Sequence, residues 1–339
     1  MLMQQIRKAY VSDISSIMEF IEQNWKSDYI LAKDRAFFEW QFVDGEDVHF
    51  IIAEDNGEIV GIQGYIPYSS GRNPDIAGSI LKVIKTDNPM LGIEIVDQIG
   101  KFVHHRWCAS PGLSSRAIKL EKLKGYEIPK LNHFYWLNEE IEEYGIAVIN
   151  KEENIKEENY IRTEVSQKYI YDWNDFEKFF SPSVLEDKIP LKDMKYIKHR
   201  YFEHPIYKYF VVMVGEEILD SGYYVLRELC LRNKKIAKIV DYFGNVNMIA
   251  MSYNCLKALI EDRGYEYIDF YNYGIEKTLL FKGGFRELKA DSKNVIPNYF
   301  EPFVQSNVEI YFSRPKVENM RLFIGDGDQD RPSKPRKEG

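Results

Sequence analysis

The stretch LKVIKTDNPMLGIEIVDQIG, from Leu81 to Gly100, joins a short apolar run to an amphipathic segment through an Asn-Pro-Met-Leu-Gly turn. The apolar run predicts a β-strand, and the spacing of the apolar residues after the turn predicts an α-helix. The N-terminus of a helix presents unpaired backbone N–H groups and the positive end of the helix dipole, which together bind phosphate. The turn is therefore either a phosphate site or a plain corner between a strand and a helix.

Segments on both sides of this stretch predict alternating helices and strands. SDISSIMEFIEQN and RAFFEWQF have the spacing of amphipathic helices, and Asn56-Gly57 lies between two apolar runs, as expected of a hairpin turn. A later helix would end at Gly125, a residue type that favours helix C-termini. The chain is thus predicted to belong to the α+β class.

The same order of elements is predicted twice. FFEWQF at Phe37 corresponds to YIKHRY at Tyr196, and the Gly-aromatic corner at Gly125 corresponds to another at Gly284, each pair 159 residues apart. The predicted strands at Leu81 and Ala237 are 156 residues apart, and a nearly constant offset over such a distance indicates an internal duplication. We therefore predict an N-terminal domain over residues 1–150, a charged linker over 151–165, a C-terminal domain over 166–324 and a disordered tail over 325–339.

Composition limits the classes of function. The 339 residues carry a net charge of −8 and no basic stripe, which disfavours nucleic-acid binding. Cys108, Cys230 and Cys255 are widely spaced, as expected of reduced structural thiols. The sequence shows no run of about 18 apolar residues and no signal core at its start, so we expect a cytoplasmic protein without a membrane span.

The end of the sequence, GDGDQDRPSKPRKEG, is rich in aspartate. Asp326, Asp328 and Asp330 alternate as ligands do in a calcium-binding loop. An EF-hand loop has glycine at its sixth position, where this chain has Arg331. A polar tail without a metal ion is the expectation.

The predicted order of elements, from two helices through a hairpin, strand, turn, helix, strand and helix to a Gly-aromatic corner, resembles the GNAT superfamily of acyl-coenzyme A dependent N-acyltransferases. The phrases DYFG at Asp241, NYFEPF at Asn298 and DGDQDRP at Asp326 are similar to those of two-domain members encoded in bacterial surface-polysaccharide clusters. The resemblance covers nearly the whole chain. It implies two tandem domains, each a mixed, mostly antiparallel sheet flanked by helices.

The resemblance also implies a place for acyl-coenzyme A (acyl-CoA). In the superfamily the fourth strand leads into a Q/R-x-x-G-x-G/A loop whose backbone N–H groups hold the pyrophosphate. The opening turn of this chain retains Gly92 and has Glu94 at the second small position. The second half departs further, so the resemblance implies that the first half holds the coenzyme. The implied coenzyme-binding residues are Lys85, Met90, Leu91, Gly92 and Ile93.

A later helix of the superfamily carries a tyrosine that protonates the departing thiolate. Counting back from Gly125 gives the same frame here with Glu121 at the tyrosine position. A carboxylic acid can take this role only if burial raises its pKa towards neutrality. The alternative is that Glu121 is a charge on the helix surface and that water or another residue supplies the proton.

Acylation of an amine also needs a base. His133 in KLNHFYWL is a candidate, because strand alternation places it on one face with Tyr135 and because histidine titrates near neutral pH. A hydrogen-bonded core histidine is the alternative.

Polar residues at predicted strand ends are candidates for binding the acceptor, since carboxylate, tyrosine and asparagine side chains suit hydroxyl-rich ligands. Local turn capping, ion pairing and core packing are the alternatives. The candidate substrate-binding residues are Arg35, Trp40, Tyr135, Asp241, Tyr242, Asp269 and Asn272.

These observations predict an N-acyltransferase that moves an acetyl or similar group from acyl-CoA, without a metal, to an amine. A nucleotide-linked amino sugar for surface polysaccharide is the acceptor that the resemblance implies. A Fem-like aminoacyl transferase is an alternative, which the lack of a basic groove disfavours. Another is a non-catalytic pair of domains that binds a sugar or a partner, which Glu94 and Glu121 at two motif positions favour. The sequence does not fix the oligomeric state.

Overall fold

A computed structural model describes residues 5–150, 152–153, 159–185, 188–315, 317 and 319–335. The described residues form two compact units. The first lies within Met1–Pro129, Tyr311–Lys316 and Gly327–Gly339, and the second lies within Lys130–Ile310 and Val317–Asp326. Part of the predicted linker, residues 151 and 154–158, lies outside the described residues.

The first unit has five α-helices, one 3-10 helix (Val11–Asp13) and eight strands in its described residues. The helices are α1 (Ile14–Asn24), α2 (Ile30–Lys33), α3 (Arg35–Phe42), α4 (Leu91–Phe102) and α5 (Ser115–Leu123). The strands are β1 (Gln5–Lys8), β2 (Val43–Asp44), β3 (Asp47–Val48), β4 (Phe50–Asp55), β5 (Glu58–Pro67), β6 (Asp75–Val83), β7 (Trp107–Pro111) and β17 (Phe312–Ser313).

Apolar periodicity explains why the longer helices pack on the sheet. The residues that α4 buries are Leu91, Ile95 and Ile99, which share one face of the helix. At the predicted hairpin between β4 and β5, Asn56 and Gly57 have φ angles of 52° and 88°. Both positive values suit a two-residue hairpin turn, in which Asn-Gly is favoured. The opening stretch of the sequence therefore folds as predicted, as a strand, a turn and a helix.

The main sheet of the first unit has the order β1-β4-β5-β6-β7-β17. Neighbouring strands are antiparallel except β6 and β7, which are parallel. Helix α4 forms the crossover between these two strands. The end of β6 and the start of α4 are therefore adjacent in the chain.

The second unit contains five α-helices, one 3-10 helix (Pro182–Leu185), one π-helix and ten strands in its described residues. The helices are α6 (Trp173–Phe179), α7 (Met194–Ile197), α8 (Asn247–Met251), α9 (Tyr253–Arg263) and α10 (Lys277–Lys282), and a π-helix spans Lys198–Phe202. The strands are β8 (Asn132–Leu137), β9 (Gln167–Ile170), β10 (Tyr209–Val214), β11 (Gly222–Leu231), β12 (Lys234–Gly244), β13 (Tyr265–Tyr273), β14 (Arg286–Glu287), β15 (Tyr299–Phe300), β16 (Phe303–Val304) and β18 (Leu322–Phe323).

The sheet of the second unit has the order β14-β8-β13-β12-β11-β10-β9, with β18 paired to β13. Its one parallel pair among the described strands is β12 with β13, and α8 and α9 connect these two strands. The two sheets are mixed and mostly antiparallel, and helices flank them. This confirms the predicted α+β class.

The two units do not coincide with the predicted domains, whose boundaries lie at residues 150 and 166. Strand β8 precedes residue 150 in the chain but pairs with β13 of the second sheet. Strand β17 falls in the predicted C-terminal domain but pairs with β7 of the first sheet. Each sheet thus takes one strand from a distant part of the sequence, which local pattern does not reveal.

Residues 325–335 were expected to be a disordered tail, and this expectation is wrong. Asp326 is fully buried and Asp330 is nearly so. Asp326 pairs with Lys192 at 2.6 Å, and the Ser79 hydroxyl donates to Asp328 at 2.8 Å. Because partners distant in sequence satisfy these charges, a polar composition is compatible with order here.

Candidate active site

Strands β6 and β7 of the first unit run side by side and then separate. Their pairing covers Asp75–Ala77 and Trp107–Ala109. Beyond this point β6 continues along β5 to Val83, while β7 continues beside β17. The separation leaves part of the β6 edge without its parallel neighbour, and such an edge presents backbone N–H and C=O groups to a ligand.

Gly78 and Ser110 are the first residues after the pairing ends. A Cβ atom on residue 78 would lie 2.3 Å from the Ser110 hydroxyl oxygen, so any other residue at position 78 would force the Ser110 side chain to shift. Ser110 itself is half-buried. Glycine at position 78 thus leaves room for a hydroxyl group at the point where the strands separate.

The turn between β6 and α4 is ordered by Asn88. The Asn88 side-chain oxygen accepts a hydrogen bond from the Met90 backbone N–H at 2.9 Å, and its amide group donates to the Glu94 carboxylate at 2.8 Å. Glu94 stands where the loop motif of the GNAT superfamily has a small residue, and the hydrogen bond from Asn88 orients its carboxylate. A Cβ atom on Gly92 would meet only the Val83 side chain, at 3.7 Å, so the outer side of Gly92 is open.

The structure places the predicted coenzyme-binding residues at this turn. Lys85 and Met90 are exposed, whereas Gly92 and Ile93 are half-buried. Leu91 is buried and packs in the core beneath α4. Its side chain therefore anchors the turn, and only its backbone is available to a ligand.

Glu121 lies on α5 and is buried, with 5% of its surface exposed. Burial raises the pKa of the Glu121 carboxyl, and the nearby Lys124 ammonium and the Ser313 hydroxyl, which donates a hydrogen bond to it, partly oppose the increase. The alternative of a charge on the helix surface is thus wrong. A raised pKa favours the protonated carboxylic acid, which is the form that can donate a proton.

The segment after Asp326 also lies against the separated strands of the first unit. Arg331 donates to the Tyr29 hydroxyl and to Asp328, and the Ser79 hydroxyl on β6 links the same groups. A Cβ atom on Gly327 would lie 2.6 Å from Pro111. The polar segment therefore packs directly against β6 and β7.

In the second unit, the chain itself closes the corresponding separation of β12 and β13. Their pairing ends at Ile239 and Phe270. Beyond it, β18 pairs with β13, and the Gly325 N–H donates to the Val240 carbonyl of β12 at 2.8 Å. A Cβ atom on Gly325 would lie 2.5 Å from that oxygen. The segment at β18 thus bridges the two strands.

The substrate-binding candidates at the ends of β12 and β13 are engaged with their own unit. Asp241 is fully buried, pairs with Lys192 at 2.6 Å and accepts a hydrogen bond from Tyr201 at 2.6 Å. The Tyr242 hydroxyl donates to the Asn245 carbonyl at 2.7 Å. Asn272 is also fully buried.

His133 and Asp269 form a buried pair in the second unit. His133 Nε2 lies 2.6 Å from Asp269 Oδ1, and the imidazole stacks on Tyr271 with 3.9 Å between ring centroids. Lys238 lies 3.5 Å from the other carboxylate oxygen. The Tyr135 hydroxyl accepts from Asn294 at 3.0 Å. His133 and Tyr135 lie two residues apart on β8, and their side chains lie on the same face of the sheet, as strand alternation predicts.

Arg35 and Trp40 lie on α3. Arg35 is exposed and donates to Glu39 at 2.7 Å and to Ser15 at 3.0 Å. Trp40 is half-buried and packs against Phe37. The structure thus separates the predicted residues among the turn, α3, α5 and the second sheet.

Sequence analysis did not identify three residues that the structure places at buried polar contacts or at the strand separation: Ser110, Ser313 and Lys192. The two serines lie on short strands that pair with each other, and Lys192 lies between Leu191 and Asp193 in a loop segment without a recognisable motif. Their partners are distant in sequence, and no local spacing marks them.

Within the described residues, no group of three or more His, Cys, Asp or Glu side chains is arranged to hold a metal ion. None of the helices in that part of the chain combines the length and apolar character needed to cross a membrane.

No protein-family model matches the sequence, and no curated protein matches it. Among solved structures, a GCN5-related N-acetyltransferase from Anabaena variabilis is similar over 91% of this chain and 72% of its own, with a TM-score of 0.56 and 11% identity. A protein from Enterococcus faecalis described as a probable N-acyltransferase is similar over the same shares, with a TM-score of 0.56 and 9% identity. These similarities establish that the chain adopts the fold of GCN5-related N-acetyltransferases.

Proposed function

We propose that this chain is an acyl-CoA dependent N-acyltransferase and that its first unit carries the transfer. The observation that carries the proposal is the separation of β6 and β7 after Ala77 and Ala109, directly before the turn that starts α4. The similarity of the whole fold to GCN5-related N-acetyltransferases supports it.

In this proposal the first turn of α4 binds the pyrophosphate of the coenzyme. Backbone N–H groups from Met90 to Ile93 and the helix dipole provide the attraction, and Lys85 adds a positive charge. The open side of Gly92 and the holding of Glu94 by Asn88 fit a diphosphate at this place. The thioester then extends along β6 towards Gly78.

The chemistry is attack of an amine on the thioester carbon. A C–N bond forms, the C–S bond breaks, and the developing oxyanion is stabilised by backbone N–H groups of the separated strands. The amine loses one proton to a base and the sulfur gains one. His133, the base predicted from the sequence, belongs to the second unit, where Asp269 holds its ring at 2.6 Å, and it is assigned no step in the first unit. A nucleotide-linked amino sugar is the acceptor to test first, which rests on the DYFG, NYFEPF and DGDQDRP phrases.

Substitution of Gly92 by Glu tests the coenzyme site. The new carboxylate would repel the diphosphate, so we expect binding of acetyl-CoA and of free CoA, measured by calorimetric titration, to weaken at least tenfold. Gly100→Glu is the matched control, because Gly100 lies exposed on the same helix with nothing near its Cβ position. Its binding should equal that of the wild type.

Absence of binding by the wild-type protein would overturn the proposal and favour a non-catalytic pair of domains. Binding that both variants retain would move the coenzyme away from this turn. Release of free thiol on mixing acetyl-CoA with individual nucleotide-linked amino sugars would then identify the acceptor.

A further inference from the structure

The first unit contains a spatial series of three polar side chains, which runs from Ser110 through Ser313 to Glu121. Ser110 and Ser313 are directly opposite each other in the antiparallel pairing of β7 with β17. Side chains at such positions lie on the same face, with Cβ atoms about 4.5–5.5 Å apart. Two hydroxyl groups at this separation are within reach of a hydrogen bond.

The far end of this series is the carboxyl group of Glu121. The Ser313 hydroxyl forms a hydrogen bond with it. Ser313 and Glu121 are both buried, with 4% and 5% of their surfaces exposed. Neither group therefore exchanges protons freely with solvent, and Ser313 connects Glu121 to β7.

The near end is the Ser110 hydroxyl at the separation of β6 and β7. It lies where a side chain of residue 78 would otherwise stand, and it is half-buried. A group that enters between the strands next to Gly78 meets this hydroxyl first.

The charged and titratable groups around Glu121 favour its protonated form. The Lys124 ammonium is bound to Asp97 at 2.6 Å, so its attraction for Glu121 is shared. Burial raises the pKa of the Cys108 thiol to about 12, and the negative charge of Glu121 adds to the increase, so the thiol stays protonated. Tyr126, whose pKa burial also raises, lies close by and is neutral near pH 7.

We propose that Glu121, Ser313 and Ser110 form a relay that delivers a proton to the sulfur of the departing thiol, with Ser110 as the catalytic residue that touches the sulfur. This inference rests on the proposed function. As the C–S bond breaks, the sulfur takes the Ser110 proton, Ser110 takes that of Ser313, and Ser313 takes that of Glu121. Glu121 becomes a carboxylate, and after the products leave a proton from solvent returns to it through Ser110 and Ser313, while the proton that the amine lost passes from the base to solvent.

The relay accounts for a carboxylic acid in place of a phenol on α5. The Glu121 side chain on this helix reaches Ser313 on β17. The Ser313 and Ser110 hydroxyls then connect it to the point where β6 and β7 separate. Glu121 and Ser313 act through Ser110 and are positioning residues.

The test compares two leaving groups in wild type, Ser110→Ala, Ser313→Ala and Glu121→Gln. With acetyl-CoA, whose alkyl thiolate needs protonation, we expect kcat to fall about 10²-fold or more in each variant, as general-acid catalysis implies. With an acetyl thioester of 4-nitrothiophenol, whose thiolate leaves unprotonated, each variant should keep within about threefold of the wild-type rate. Ser115→Ala, exposed on α5, should match wild type on both.

The outcomes separate the two proposals. Wild-type protein that does not turn over acetyl-CoA overturns the proposed function and the relay with it. Wild-type turnover with unaffected Ser110→Ala and Ser313→Ala variants overturns the relay alone. An equal loss with both thioesters indicates a structural role and also overturns it. Calorimetric binding of free CoA by each variant shows whether the coenzyme site is intact.

Discussion

Asp326 is the residue at which burial and charge conflict most clearly. Its carboxylate is fully buried beside Lys192, which also pairs with Asp241, so two negative charges share one positive charge. Burial raises the pKa of Asp326 to about 6, the Asp241 carboxylate adds to the increase and the Lys192 ammonium opposes it. Tyr196 and Tyr201 pack close by and stay neutral.

This pKa predicts a specific pH dependence of stability. In the unfolded chain Asp326 titrates near pH 3.8, so between about pH 4 and pH 6 the folded protein binds more protons. The stabilisation from protonated Asp326 is complete below about pH 4 and is lost as the pH rises through about 6. We expect the free energy of unfolding of wild type, relative to Asp326→Asn, to fall across this interval and then to level off.

Urea unfolding of both proteins at pH 4, 5, 6 and 7 measures this difference. Asp291→Asn, at an exposed position, is the matched control and should follow the wild-type curve. A wild-type to Asp326→Asn difference that does not change with pH would contradict the raised pKa.

Among single residues, sequence analysis located Glu121 but did not determine its burial. The motif frame counts positions along one helix, whereas burial of Glu121 depends on β17, almost 200 residues further on. Ser110 and Lys192 had no local signal, since neither belongs to a motif. Residue roles that depend on distant partners were therefore beyond the sequence pattern.

At the level of elements, the strand, turn and helix around Leu81–Gly100 and the Asn-Gly hairpin follow from local sequence. Apolar periodicity and turn chemistry act over a few residues, and these elements depend on little else. Strand β18 does not follow in this way. Its two residues are ordered because they pair with β13 and because Gly325 approaches β12 closely, contacts that composition cannot show.

Gly325→Ala tests whether this bridge stabilises the second unit. The added Cβ atom would lie 2.5 Å from the Val240 carbonyl oxygen, so backbone must shift. Overpacking of this kind costs about 1–3 kcal/mol, which we expect as a lower free energy of unfolding in urea. Gly100→Ala, with open space at its Cβ position in α4, should be neutral or slightly stabilising. Equal stability of the two variants would show that the bridge is dispensable.

At the level of the whole molecule, two units with similar parallel strand pairs differ in one respect that bears on ligand binding. In the second unit the Gly325 to Val240 hydrogen bond and β18 span the separated strands. In the first unit the described contacts of the C-terminal segment with β6 include side-chain hydrogen bonds to Ser79. The strand edge itself is thus occupied by protein backbone in the second unit.

This difference predicts that each chain binds about one molecule of acyl-CoA. A coenzyme in the second unit would have to displace β18 and break the backbone hydrogen bond from Gly325 to β12, whereas the hydrogen bonds of the C-terminal segment to β6 named above for the first unit involve side chains. Calorimetric titration with acetyl-CoA should give a stoichiometry near one, and Gly92→Glu should weaken all of the observed binding at least tenfold. A second site that survives Gly92→Glu would contradict the prediction and show that the segment at β18 yields to the ligand.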